Sequence, residues 1–145
     1  MDQRPSEEQI QAKWREIAHY ADVLARRSGT PGEFSAHAGS EAALDDEMLG
    51  GYNLSTAVVQ GLVASIDHLD ALTTLVVEHN TLHINAPYSL ARGVLENAAI
   101  AFWIVHPAER PERLHRALRW WAKNANDGEA AHTAFPDAGA HLQTK

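Results

Sequence analysis

A chain of 145 residues, 45% of them hydrophobic, has the length of one domain and the apolar content to build its core, which argues against wholesale disorder. It contains no cysteine, and that excludes disulfide frameworks, thiolate metal sites and cysteine nucleophiles. A formal net charge of −7 disfavours generic nucleic-acid binding through phosphate neutralisation.

Ser6 and Gln9 form a capping-box pattern, and Ile10, Trp14, Ile17, Ala21 and Leu24 follow at alternating four- and three-residue steps. They predict a first helix over residues 6–27. The stretch SGTPGEFSAHAGS is rich in turn formers, so residues 28–53 are expected to be mostly loop. A short acidic helix from Glu41 to Met48, ended by Gly50 and Gly51, is a further reading. The second long helix is expected over 54–79, burying Val59, Leu62, Ile66, Leu69, Leu72 and Val76. The third is expected over 86–106, with Asn85 as cap, Pro87 in the first turn and Pro107 as terminator. Its second half is apolar on every side, which predicts burial on every side. The fourth is expected over 111–126, with Leu114, Ala117, Leu118, Trp121 and Ala125 inward and Asp127-Gly128 as its stop. Residues 128–145 read as a poorly ordered tail. The fold class is therefore all-α: one domain, a bundle of four main helices with a long first connection.

The longest apolar run, Ala98 to Val105, is far short of the ~20 residues a membrane span needs, and the N-terminus has no apolar signal core. The expected location is the cytoplasm, with no membrane partner and no cofactor.

Four groups of residues are candidates for a site. Arg92 and Glu96, four apart, share a stripe with Ile100 and Trp103. A hairpin pivoting near Ala108 would bring them close to Trp121 and make a buried structural lock. Arg110, Arg113, Arg116, Arg119 and Lys123 form a basic stripe along the last helix; it is a solvated face or, in the functional reading, a nucleic-acid or anion contact. His79 and His83 have the spacing of two imidazoles on one helical face and are a candidate metal pair. Trp14 and Trp120, where exposed, are candidate interface anchors.

Two resemblances add expectations. Arg110 and His115 stand in an Arg-x4-His spacing similar to the signature of HEPN-type helical ribonucleases. That likeness implies a histidine acid or base and an arginine charge stabiliser on the scissile phosphate, although Pro111 departs from the motif. The run ARGVLENAAIAFWIVHP, followed by Arg110, Arg113 and Trp120, resembles a group of uncharacterised actinobacterial helical proteins. It matches their pattern at Leu90, Arg92, Leu95, Glu96, Ala98, Trp103 and Pro107, and implies no activity. The leading functional expectation is a non-enzymatic module that self-associates or binds a protein partner. A HEPN-like ribonuclease and a metal- or ligand-binding bundle are the alternatives.

Overall fold

The computed structural model describes residues 4–79 and 83–134, and every regular element among them is helical. The elements are α1 (Glu7–Ser28), α2 (Glu41–Leu49), α3 (Leu54–Thr73) with a π-helical turn at Thr74–Glu78, α4 (Ala86–Val105) and α5 (Arg110–Ala134). The all-α expectation holds. The helix count is five among the described residues rather than four, because α2 forms inside the stretch expected to be mostly loop.

Local chemistry explains most boundaries. At the start of α1, the Gln9 N–H donates to Ser6 Oγ at 3.2 Å and the Ser6 N–H donates to Gln9 Oε1 at 2.8 Å, closing the capping box. Ser40 caps α2 by accepting from the Ala43 N–H, and Gly50, at φ 58°, ends it in a conformation open to glycine. No side chain of its own caps α3. Asp46 of α2 does so instead, accepting from the Ser55 N–H at 2.9 Å and from the Ser55 hydroxyl. α3 gives way to the π turn at a run of branched residues. The Thr73 hydroxyl donates to both Leu69 O and Asp70 O, competing with the backbone ladder. The ladder then shifts, and the His79 N–H donates to Thr74 O.

α3 is the hub, packed against each of the other helices, and it buries two sides. The expected apolar stripe is inward, with Ile66 and Leu72 buried. A second buried row, Ala57, Gly61 and Ser65, has almost no side chain. It faces Gly93, Asn97 and Ala101 of α4. A Cβ added at Gly61 would sit 3.1 Å from Asn97 O, and one at Gly93 only 2.2 Å from the His68 ring. Small residues therefore let the two backbones approach closely. Ser65 Oγ donates to Val94 O across the seam at 2.9 Å. The buried cluster lies where the start of α3, the end of α4 and α5 meet. It comprises Leu54, Ala57, Ile104 and Ala117, with Leu49, Val58, Trp103, Trp120 and Trp121 packed against it.

Two expectations about α4 and α5 are corrected. The second half of α4 is not buried all round: Ala101 and Ile104 are buried, but Phe102 is 62% exposed and Ile100 and Val105 are also exposed. Only one side of that helix has a neighbour, so apolar composition outran the available cover. α5 does not stop at Asp127-Gly128; it continues to Ala134. One glycine costs a helix only about 1 kcal/mol, and Lys123–Asp127 at 2.5 Å and Thr133 Oγ to Glu129 O at 2.9 Å support the turns around it. Residues 135–145 lie outside the described residues. Leu118 and Ala125, expected inward, are exposed.

The two glycine environments separate in a stability measurement. Gly61→Leu should destabilise the fold by about 1–3 kcal/mol, because backbone blocks the new side chain. Gly128→Ala, in open space inside a helix, should stabilise it by about 0.5–1 kcal/mol. Urea unfolding followed by far-UV circular dichroism reads both.

Candidate functional site

Part of the basic stripe of α5 is turned into the molecule, while Arg119 and Lys123 stay exposed. Asp45 of α2 is fully buried, and Arg113 is 7% exposed. Arg113 Nε donates to Asp45 Oδ2 at 2.8 Å, and its Nη1 donates to Ala108 O at 2.8 Å and Pro107 O at 3.2 Å. Its Nη2 lies 2.9 Å from Glu41. Arg110 Nε stands 2.8 Å from Asp45 Oδ1, an ionic contact without hydrogen-bond geometry. The hydrogen bond to Asp45 raises the Arg113 pKa and outweighs the opposing effect of burial; the charges of Asp45 and Glu41 act in the same direction.

Further along the helix, Arg116 Nη1 donates to Trp103 O at 2.8 Å and its Nε to Glu112 at 2.7 Å. The guanidiniums of Arg116 and Arg119 lie 5.1 and 5.8 Å from the centre of the Trp103 ring, within cation–π range. Lys123 pairs with Asp127. The expected basic face is thus largely a set of internal braces: Arg110 and Arg113 tie α5 to α2, and Arg116 and Arg119 tie it to α4.

The remaining sequence candidates separate. Arg92 and Glu96 do pair, at 2.6 Å, but their side chains are 77% and 57% exposed. The buried lock with Trp121 is therefore corrected to a surface pair on the outer side of α4. Trp121 belongs elsewhere: its Nε1–H donates to Asn53 O at 3.3 Å, and its ring meets Tyr52 and Trp120 edge-on. α4 is rotated about its own axis so that Arg92 and Glu96 face away from α5. Arg110 and His115 are not brought together, since Arg110 serves Asp45 while His115 is 64% exposed beside Glu112 at 3.9 Å. His79 follows the π turn and His83 lies outside any helix, so the shared helical face they needed is absent. Among the described residues no three His, Asp or Glu side chains converge as a metal site would require. Trp14 is half-buried and Trp120 packs against the core cluster, so neither projects as a free anchor.

What projects instead is on α4. Tyr88, Leu95 and Phe102 are 78%, 70% and 62% exposed. They stand seven residues apart, on one face of the helix. Arg92, Ala99 and His106 interleave with them and are exposed too. This face points away from the α3 seam, and its position follows from it: once Gly93, Asn97 and Ala101 are turned to α3, the opposite side of α4 is committed outward. The heptad spacing was visible in the sequence. It was masked because a helix apolar on all sides reads as buried on all sides. Beside the apolar side chains the stripe carries the mutually paired Arg92 and Glu96 and the His106 imidazole. Elsewhere, an apolar cleft of about 420 Å3 on α1 is lined by Ile10, Trp14 and Ile17, and two further clefts are more polar. The one of about 520 Å3 between residues 28–36 and α3 contains Asp46 and Ser55, which are spent on each other. The one of about 430 Å3 beside Arg113 contains the Asp45–Arg113 ion pair.

The ion cluster and the surface pair should respond differently to truncation. Asp45→Ala leaves the buried Arg113 with only the exposed Glu41 as counter-ion and should cost about 3 kcal/mol. Arg92→Ala should cost at most a few tenths of a kcal/mol. Chemical denaturation distinguishes the two. Glu112 adds a pH signature. The hydrogen bond from Arg116 holds its carboxyl below the usual range against a smaller opposing effect of desolvation. A group lowered in this way contributes stability above its unfolded pKa and loses it as pH falls through the folded one. Glu112→Gln should therefore flatten part of the loss of stability on acidification through the carboxylate range, measured as midpoint against pH.

Compared with protein-family models, with characterised proteins and with solved structures, the chain shows no significant match to any of them.

Proposed function

We propose that this protein is a non-enzymatic helical module whose task is association, and that its binding surface is the outer face of α4. The observation that carries this reading is the row Tyr88, Leu95 and Phe102, more than three-fifths exposed along about four turns of one well-packed helix. Scattered apolar residues on a surface need no explanation, but a contiguous row that includes two aromatic rings marks a place where water is to be displaced. Aromatic side chains on a rigid element also lose little entropy on binding. The scaffold supports the role. α4 is clamped to α3 by the small-residue seam and to α5 by the Arg116 bond to Trp103 O, so the face is presented in one orientation.

The geometry gives the basic-stripe readings less support, because Arg113 and Arg116 are hydrogen-bonded within the chain and Arg110 is held beside Asp45. Leu95→Glu/Phe102→Glu should leave stability within about 0.5 kcal/mol of wild type, since both residues are exposed. It should abolish binding of an environment-sensitive apolar dye and any concentration-dependent sedimentation. Retention of both by a folded double variant would refute the reading.

A further inference from the structure

The α4 face is also patterned for one particular occupant. The geometry points to a second copy of this chain, docked antiparallel through α4, with a two-fold axis at the level of Asn97. This rests on the reading of α4 as the association surface.

The register follows from residue sizes. With the axis at Asn97, Leu95 of one copy meets Ala99 of the other, Arg92 meets Phe102, and Tyr88 meets His106. Each large side chain faces a small or complementary one: leucine into the gap over alanine, a guanidinium toward a ring face, a phenol against an imidazole. The two-fold makes every such contact twice. Parallel pairing does the reverse. It sets Arg92 on Arg92 within the seam and bulky residues on bulky ones, and leaves Ala99 facing Ala99 across a void.

Charge favours the same occupant. The chain carries −7, so most of its surface repels a second copy. From Ala86 to Val105 the only formal charges are Arg92 and Glu96, and these neutralise each other at 2.6 Å. Two copies therefore meet on their least charged surface, and a strongly basic or acidic partner finds nothing there to select it. The two Glu96 side chains come near the axis, each already compensated by its own Arg92. The exposed fractions of Tyr88, Leu95 and Phe102 amount to roughly 400 Å2 of apolar surface per copy. The pair would bury about 800 Å2, below the ~1,200 Å2 of a standard stable interface, so the dimer is weak and reversible.

Single cysteines test the register cleanly, because the chain has none of its own. Tyr88→Cys and His106→Cys variants are oxidised mildly, separately and mixed, and the products are identified by mass. The antiparallel dimer predicts a linked heterodimer from the mixture. It predicts no linked product from either variant alone, since each position is 18 residues, about 27 Å along the helix, from the level of its own image. Sedimentation equilibrium of the wild-type chain should show monomer–dimer exchange, with Leu95→Asp raising the dissociation constant at least ~10-fold. Links within each variant alone would overturn the antiparallel register. A wild-type chain that is monomeric at all concentrations, yet binds the apolar dye through Phe102, would overturn the second copy and leave the association surface standing. A monomer whose dye binding ignores Phe102 would sink both.

Discussion

The close approach of α3 and α4 is the constraint on which the rest of the structure depends. It is made by what is missing from the side chains. Gly61 leaves room for the backbone of α4 at Asn97 and Ala101, and Gly93 leaves room for the His68 ring. Helices that touch through alanine, serine and glycine gain little from burying apolar area at that seam. They gain instead from dense van der Waals contact and from the Ser65 bond to Val94 O. The seam also fixes the rotation of α4 about its axis, and that rotation decides which of its apolar residues enter the core and which face water.

Charge organises the other end of the molecule. A buried carboxylate is tolerable only when its oxygens are occupied. Asp45 has Oδ2 hydrogen-bonded to Arg113 and Oδ1 in ionic contact alone with Arg110, while Arg113 takes up two backbone carbonyls at the α4–α5 turn. One buried anion thus links α2, the turn and α5. This converts an apparent nucleic-acid face into internal structure. It also explains why a nine-residue helix with a weak apolar pattern is held in place: its buried residue is an acid, and its partner arrives from 68 residues further along the chain.

These two arrangements together decide which side chains are left at the surface. Arg113 and Arg116 are committed inward, and Asp46 and Ser55 are bonded to each other. Among the described residues, the outer face of α4 is exposed and largely apolar. A rigid helix presenting Tyr88, Leu95 and Phe102 beside small alanines suits a role in association, and its near-neutral charge within an acidic protein suits a partner of the same kind.

The sequence by itself determined the helices and most of their ends. The Ser6–Gln9 capping box, Pro87 within the first turn of α4 and the three- and four-residue periodicities are local, and local chemistry suffices to read them. It also determined that Arg92 and Glu96 would pair, because four-residue spacing on a helix brings them together wherever that helix lies. Only the tertiary structure decided which way each helix faces. Periodicity shows that a helix has an apolar side. It does not identify that side when the helix is apolar all round, as α4 is, or when the buried row is made of Ala57, Gly61 and Ser65 and carries no hydrophobic signal. The same limit hid the Asp45–Arg113 pair. Whether an arginine is a solvated charge or a buried brace depends on a carboxylate distant in sequence, and that proximity arises only once the helices have packed.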